Sequence, residues 1–405
     1  MKKLMLRISI MVVFFCFAAA GHAPAMETLG GVQIHGFISQ GFLISDEYNY
    51  LSHDSKKGSF QYNEMGINFS KDVTDKLRIG VQVFSRDLGD AANNKVTIDW
   101  AYGDYKWRDW LGLRAGRIKL PFALYTETRD MDMLRTSIVM PQGMYNDLTR
   151  DAGIALNGVG LYGYVPIGVA GSLDYYVLGG AMNMDLDSGL GKYTNSQLTA
   201  INGEINGQID AETAYAGRLR WNTPLSGLAL NVTASKVDMK YPIMANIPGL
   251  GNVQMQLESE TFVNIIGVEY TWKDLLLAVE YKQQDSDSTT TSILGTNVSS
   301  KTTEAYYLSA AYRLTDWLEV GSYYSVTYPD NDDRDGDKLK AAGQPDHGAW
   351  QKDLALSVRF DINPNWCFKI EGHQVNGTAE VLALDNPTRN DKTWSYFAAK
   401  ATFSF

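Results

Sequence analysis

Apolar and polar residues alternate at every second position in many segments of this chain. The segments that begin at Leu77, Leu275 and Leu318 each carry an apolar face and an opposite face of charged or small residues. A repeat of two residues is the period of a β-strand, because successive side chains point to opposite sides of the sheet. The chain must therefore fold mainly into sheets whose apolar faces are covered either by a protein core or by lipid.

The connections between these segments alternate in length, and this separates the two possibilities. Short connections are expected near 72–75, 108–109, 166–167, 223–226, 273–274, 315–316 and 363–365. Long polar connections are expected near 45–59, 88–94, 121–150, 183–210, 241–258, 284–301, 329–348 and 378–391. Short turns at one end and long loops at the other are typical of an up-and-down transmembrane β-barrel.

Aromatic residues support the membrane interpretation. The tryptophans near the short connections are Trp107, Trp110, Trp221, Trp272, Trp317 and Trp366. Aromatic belts of this kind mark the boundary between lipid and water. The chain also ends in an alternating segment whose last residue is Phe405, and this resembles the signal that the outer-membrane insertion machinery reads.

The alternation predicts about sixteen strands, an even number as in single-chain bacterial barrels. They are expected near 31–44, 60–71, 76–87, 95–107, 110–120, 151–165, 167–182, 211–222, 227–240, 259–272, 274–284, 301–314, 316–328, 349–362, 365–377 and 392–405. The predicted fold is thus an all-β, antiparallel, up-and-down transmembrane barrel with both termini on the periplasmic side. A barrel of this size encloses an aqueous channel, whereas about eight strands would be filled by side chains.

The amino terminus has the features of an export signal. In residues 1–25 a basic start precedes an apolar run over 8–20, and a small-residue cleavage motif follows. Its removal takes away three basic residues and no acidic ones, so the formal net charge changes from −10 to −13. This charge argues against nucleic acid as a partner. The mature chain, residues 26–405, is expected to be a single domain and to retain one cysteine, Cys367.

Three parts of the sequence resemble Gram-negative outer-membrane porins, in the broad group that includes the phosphate-selective porins. They are residues 96–102 (VTIDWAY), 111–122 (LGLRAGRIKLPF) and 361–373 (DINPNWCFKIEGH). The resemblance implies a location in the outer membrane, a homotrimer, and a third long loop, 121–150, folded into the pore. It does not imply phosphate specificity, because no phosphate site can be carried over residue by residue.

The predicted pore constriction carries charges of both signs. Its residues are Arg114, Arg117 and Lys119 on the strand before 121–150, and Glu127, Arg129, Asp130, Asp132 and Arg135 within it. Opposite charges across a narrow lumen would create a transverse field and a polar constriction. The alternative is that these are surface charges paired with each other. Apolar residues of the same segment, Met131, Met133, Leu134, Ile138, Val139 and Met140, predict that it packs on the barrel wall.

One irregularity is expected in the strand before this loop. Strict alternation from Arg114 would turn Arg117 and Lys119 toward lipid, where a charge costs about 2–4 kcal/mol. We therefore predict a bulge at Ala115 and Gly116 that returns both side chains to the lumen. Alternatively, Lys119 reaches the headgroups by snorkelling.

Basic residues outnumber acidic ones on the predicted inner wall. The inward bases are Arg78, Arg86, Arg114, Arg218, Arg220, Lys282, Arg313, Arg359, Lys369 and Lys400. The inward acids are Glu269, Glu280, Glu319, Asp353 and Glu371. This excess predicts a modest preference for anions, with pairing across neighbouring strands as the competing interpretation.

Other chemistry finds little support. The acidic run from Asp330 to Asp337 is similar to a calcium loop but has no Glu at the twelfth position, so an outer loop bridged to lipopolysaccharide by divalent ions is preferred. No metal spacing, nucleophile motif or phosphate loop is present, and no cofactor is expected. The sequence favours a non-enzymatic porin for passive diffusion of small hydrophilic solutes. The alternatives are a lipase- or protease-type barrel and a plugged structural or adhesive barrel.

Overall fold

Seventeen β-strands form one antiparallel sheet in the computed structural model, which describes residues 29–52, 54–89, 92–199 and 202–405. The predicted signal peptide, residues 1–25, lies outside the described residues. The strands are β1 (Gln33–Ser45), β2 (Asn63–Thr74), β3 (Leu77–Asp87), β4 (Thr97–Arg108), β5 (Leu111–Lys119), β6 (Ala155–Pro166), β7 (Ser172–Met184), β8 (Gly203–Ile205), β9 (Ile209–Asn222), β10 (Leu228–Ile247), β11 (Gly251–Trp272), β12 (Leu275–Ser292), β13 (Gly295–Thr315), β14 (Leu318–Tyr328), β15 (Gln351–Asn363), β16 (Trp366–Gly377) and β17 (Thr393–Ser404). The α-helices are α1 (Arg150–Gly153), α2 (Gly189–Leu198) and α3 (Asp337–Ala341).

The sheet closes on itself where the first and last strands meet. Strand β1 pairs with β2 on one side and with β17 on the other, from Phe37 opposite Ser404 to Ser45 opposite Tyr396. Sixteen strands form the ring, and the short β8 pairs with the outer part of β10. A closed ring leaves no unpaired strand edge in lipid. The predicted sixteen-strand barrel is therefore confirmed.

The connections follow the predicted alternation, with one correction. Segments 241–258 and 284–301 were expected to be long loops, but they continue the strands. Strand β10 runs to Ile247 and β11 starts at Gly251, while β12 and β13 are separated by Ile293 and Leu294 alone. Segment 284–301 is polar on both faces and so resembles a loop, but its β-branched Thr and Val residues favour strands that pair outside the lipid. In 241–258 the apolar residues Tyr241, Ile243 and Ala245 alternate and are buried on one face.

The outer face of the barrel is apolar and the inner face is polar. Outward residues such as Leu161, Ile266 and Leu356 are 43, 55 and 63% exposed, because no protein covers them. Trp272 and Trp317, at the short-turn end, are 55 and 53% exposed. This is the arrangement of a membrane barrel, in which lipid covers the apolar face. None of the described helices is long and apolar enough to cross a membrane.

The third long connection enters the barrel, and we call residues 120–154 the constriction loop. Ile138, Val139 and Met140 are buried, as predicted, and Ile138 and Val139 pack in a cluster with wall residues such as Val375. Met131 and Leu134 were also expected to be covered, but they are 45 and 62% exposed. They border a cleft between the loop and the wall near Gly321.

We expect the tip of the β12–β13 hairpin to be reachable from outside the cell. Strands of this length, at about 3.4 Å per residue, extend well beyond an apolar band roughly 25 Å tall. An epitope inserted between Ile293 and Leu294 should be labelled by antibody on intact cells. The matched control is the same epitope in the turn at Lys273, which should be labelled only after permeabilisation. The reverse pattern would contradict this orientation.

Candidate functional site: the lumen and its constriction loop

The constriction loop is held from opposite parts of the wall. The backbone amides of Ile138 and Val139 donate to the Glu371 carboxylate on β16, at 2.9 and 2.8 Å. The backbone amide of Leu124 donates to Glu280 on β12, at 2.8 Å. Because β12 and β16 are four strands apart and the loop itself starts from β5, it crosses much of the bore.

Asp132 is the most heavily bound anchor of the loop. Its carboxylate lies 3.1 Å from Lys369 Nζ and 3.6 Å from Lys400 Nζ, both on the wall, and 3.3 Å from Arg135. It also accepts a hydrogen bond from the Thr402 hydroxyl at 2.7 Å. Burial would raise the pKa of Asp132, but the cations around it outweigh burial and hold the pKa below its usual value.

Asp130, two residues before Asp132, forms a second buried anchor of the loop. Its carboxylate lies 2.6 Å from Lys119 and 2.5 Å from Arg150. Arg150 also contacts Asp99 on β4 at 3.0 Å, and its guanidinium lies over the ring of Phe84. Burial would raise the pKa of Asp130, but Arg150 and Lys119 keep it low. Asp130 in the middle of the loop and Arg150 near its end thus tie the loop to β3, β4 and β5.

A third set of ion pairs centres on Asp147. Arg86 of β3 lies 3.3 Å from Asp147 and 3.3 Å from Asp151, and Arg129 lies 3.0 Å from Asp147. Arg86 is only 2% exposed. The charges of Arg129, Asp130, Asp132 and Arg135 therefore serve mainly to fix the loop.

The predicted bulge is in a different strand. The pairing of β5 with both neighbours continues residue for residue through Ala115 and Gly116. The bulge lies in β4, where the register of β3 and β4 shifts and the extra residue, Asp99, turns inward. Gly116 has another reason to be glycine. Its φ is +133°, and a Cβ there would lie 2.3 Å from the Ala101 carbonyl oxygen.

Arg117 and Lys119 consequently behave differently. Lys119 pairs with Asp130 of the constriction loop and with Asp99, 3.3 Å away, without the predicted bulge. Arg117 donates from Nε to the Ile98 and Asp99 carbonyl oxygens, at 2.9 and 3.2 Å. Its contacts are thus with the backbone at the β4 bulge and not with the constriction loop.

On the periplasmic side of the loop, a cavity of about 440 Å³ is lined by Arg114, Arg218 and Arg220. Arg114 lies among the rings of Tyr102, Tyr162 and Tyr176 at 4.6–5.2 Å. Each arginine has a carboxylate partner. The three pairs are Arg114 with Asp104 at 2.9 Å, Arg218 with Glu127 at 2.5 Å, and Arg220 with Glu269 at 2.9 Å.

Arg78 lies apart from this site. Its guanidinium donates to Gln33 and Ser70, at 3.0 and 2.7 Å, near the periplasmic end of the barrel. Sequence reasoning also missed the inward acids Glu64 and Asp104, which pair with the counted bases Lys400 and Arg114. It missed Asp99 as well, which pairs with Arg150 of the constriction loop. Asp104 lies two residues after the inward Tyr102, so strand alternation could have predicted that it faces inward. Asp99 is the extra residue of the bulge, so no regular alternation predicts its direction.

Two further groups named from the sequence have local roles. In the acidic loop, Asp333 accepts from the backbone amides of Lys338 and Leu339 at 2.8 and 3.2 Å, and so holds the start of α3. His373 lies between Asp353 and Glu371, at 3.0 and 2.9 Å, inside the wall. Among the residues that the structure describes, no group of three or more His, Cys, Asp or Glu could hold a metal ion.

Replacement of Asp132 by Asn should loosen the constriction loop. The change leaves Lys369, Lys400 and Arg135 without their shared carboxylate, and removing one partner of a buried ion pair costs about 3–5 kcal/mol. We expect a lower unfolding midpoint in urea and noisier single-channel currents. Asp335→Asn, on the exposed outer loop, is the control and should change the free energy of unfolding by less than about 0.5 kcal/mol. Equal midpoints for the two variants would contradict the anchoring role.

Comparison with known proteins finds similarity in structure alone. No sequence family and no curated protein matches the chain. The outer membrane channel DcaP of Acinetobacter baumannii superposes with a TM-score of 0.57 at 11% identity, covering 94% of this chain and 99% of that one. The anion-selective porin from Comamonas acidovorans gives 0.52 at 11%, covering 92% and 99%. The trimer form of in-vitro folded OmpT, an outer membrane protein of Vibrio cholerae, gives 0.52 at 11%, with the same coverage.

At these identities the likeness establishes the fold. A closed sixteen-strand barrel with an apolar outer band is characteristic of the Gram-negative outer membrane, where its backbone groups are satisfied within the ring. The chain therefore has the fold of the outer-membrane porins.

Proposed function

We propose that this protein is an outer-membrane porin, a water-filled channel for passive diffusion of small hydrophilic solutes and ions. The observation that carries the proposal is a polar lumen narrowed, at mid-length, by a loop anchored to its wall. Cavities of about 440 and 820 Å³ lie on the periplasmic and outer sides of this loop. Barrels of about sixteen strands are wide enough to enclose water.

The constriction sets the size limit of the channel in this proposal. Arg114, Arg218 and Arg220 keep 22, 21 and 29% of their side chains exposed to the periplasmic cavity. Partly exposed guanidinium groups favour anions in a pore. Because each has a carboxylate partner, the preference for anions is mild. Solutes move down their concentration gradient, with no turnover and no cofactor.

The surroundings of the channel follow from the same fold. Outer-membrane lipid and lipopolysaccharide cover the apolar band. The barrel assembles as a homotrimer, and OmpT, which has a similar fold, has also been solved in a trimer form. Phe405 is 38% exposed at the periplasmic end, and its backbone exchanges hydrogen bonds of 3.0 Å with Gly36. Its exposure supports the proposal that the insertion machinery recognises this terminus.

A plugged barrel is the second candidate, because the constriction loop reaches so many strands of the wall. Beyond β12 and β16, it contacts β9 through Glu127 and Arg218. An enzymatic barrel is less well supported. His373, with both ring nitrogens engaged by carboxylates inside the wall, is unlike a general base exposed to substrate.

Planar-bilayer recordings test the proposal. The refolded mature protein should give conductance steps in groups of three, and a salt gradient should give a reversal potential that favours anions. Arg218→Gln should lower the anion-to-cation permeability ratio by about two- to fivefold, as for loss of an interaction worth roughly 0.5–1 kcal/mol. Arg78→Gln, outside the constriction, is the matched control and should leave the ratio unchanged.

If correctly folded protein shows no conductance, the channel proposal is wrong and the plugged barrel becomes the better interpretation. A reversal potential that favours cations would remove the anion preference while leaving the channel.

A further inference from the structure

The cavity on the outer side of the constriction loop, which we call the outer cavity, has a volume of about 820 Å³. Gln142 and Asn146 of the loop form part of its floor, and the wall contributes Lys282, Thr303 and Thr327. The outer loops form its rim. Its volume lies within the roughly 300–1,000 Å³ of typical ligand sites.

Lys282 stands out among the charged groups of this cavity. It points inward from β12 and is only 8% exposed. The register places it opposite Ala305, which in turn lies opposite Thr327. Gly143 of the loop packs against this row, since a Cβ there would lie 2.1 Å from the Thr327 hydroxyl.

The Lys282 ammonium has no hydrogen-bond or ion-pair partner in the described part of the chain. The other buried lysines differ in this respect. Lys369 contacts Asp132 at 3.1 Å, and Lys400 contacts Glu64 at 2.5 Å. A buried ammonium without a partner is costly, so an anion that enters the cavity gains a strong interaction.

The acidic groups around the cavity are engaged elsewhere. Glu380 is the carboxylate that acts electrostatically on Lys282. Its carboxylate, however, accepts a hydrogen bond from Asn146 Nδ2 at 3.1 Å. Burial raises the pKa of Glu380, which weakens it further as a counter-ion. Asp330 pairs with Lys338 at 3.3 Å, and Asp333 is bound by backbone amides of α3.

We propose that the outer cavity is a binding site for a small organic carboxylate, whose charged group pairs with Lys282 and whose polar body fills the remaining volume. A carboxylate with one charge suits the site better than phosphate, because Lys282 supplies one buried positive charge and Asp147, which also lines the cavity, repels a second negative charge. The polar floor and wall offer amide and hydroxyl groups to a hydroxylated body. The idea that the outer cavity loads solutes into the constriction rests on the proposed channel function. The idea that the cavity binds a carboxylate does not.

Isothermal titration calorimetry of the detergent-solubilised mature protein tests the site with sodium gluconate and, separately, inorganic phosphate. Wild type should bind one gluconate per chain saturably, and phosphate more weakly. Lys282→Gln should weaken gluconate binding about tenfold or more, the effect of losing a charge-assisted hydrogen bond. Lys282→Arg should retain binding within about threefold, because it keeps the charge.

Two matched variants sharpen the test. Lys301→Gln removes an exposed lysine from the same cavity and should change the dissociation constant by less than about twofold. Glu380→Gln removes the nearby carboxylate and should strengthen gluconate binding. The folded state of each variant is checked by its circular dichroism and heat-dependent gel mobility.

Three results would overturn the proposal. They are the absence of saturable gluconate binding, equal affinity in wild type and Lys282→Gln, and tighter binding of phosphate than of gluconate. The measurement needs no conductance, so it separates the two proposals. A silent barrel that binds gluconate would remove the channel and keep the site, whereas a conducting barrel without binding would do the reverse.

Discussion

The hydrogen bonds between β1 and β17 are the contact on which the rest of this structure depends. In lipid, an open edge would leave a row of backbone amides and carbonyls without partners, each at a cost of several kcal/mol. The pairing of β1 with β17 from Phe37 to Ser45 closes the barrel, which removes that cost and encloses a lumen. Alternation then sorts the side chains, so that Lys400 and Thr402 of β17 face the lumen. The polar interior is thus a consequence of how the backbone is satisfied.

Once the interior exists, its charges decide the position of the constriction loop. Inside the wall the effective dielectric constant is lower than in water, so unpaired charges are costly and matched ones hold firmly. Lys369 and Lys400 sit 0 and 1% exposed, and Asp132 of the loop compensates both. Asp130 and Arg150 do the same near β4 and β5. The charges of the wall and the loop therefore stabilise each other.

The parts of the fold that follow from local periodicity could be predicted. Sixteen strands and the short turns come from alternation and connection length, whereas the inward third loop is implied by the resemblance to porins and supported by its apolar residues. The polar extensions of β12 and β13 over 284–301 could not be predicted in the same way, because strands outside lipid need no apolar face. Their pairing compensates for the missing pattern. The bulge at Asp99 also escaped, since one extra residue leaves no mark on composition.

The site was less predictable than the fold, for a geometric reason. Which residues face inward can be derived from parity, and Lys282, Lys369 and Lys400 were all placed correctly. Which of them find a carboxylate depends on the path of the loop across the bore. Sequence alone therefore counts charges on the wall but does not show which remain unpaired.

The length of β13 has one more consequence. It pairs with β12 along its whole length but with β14 only as far as Glu304 opposite Tyr328. Within the described chain, residues 295–303 thus present one open sheet edge to the medium outside the membrane. Such edges are templates for strand addition and aggregation unless charge or shape blunts them. Lys301 and a run of Ser and Thr provide that protection here. A mutation that made this edge apolar would create self-association on the cell surface without touching the channel.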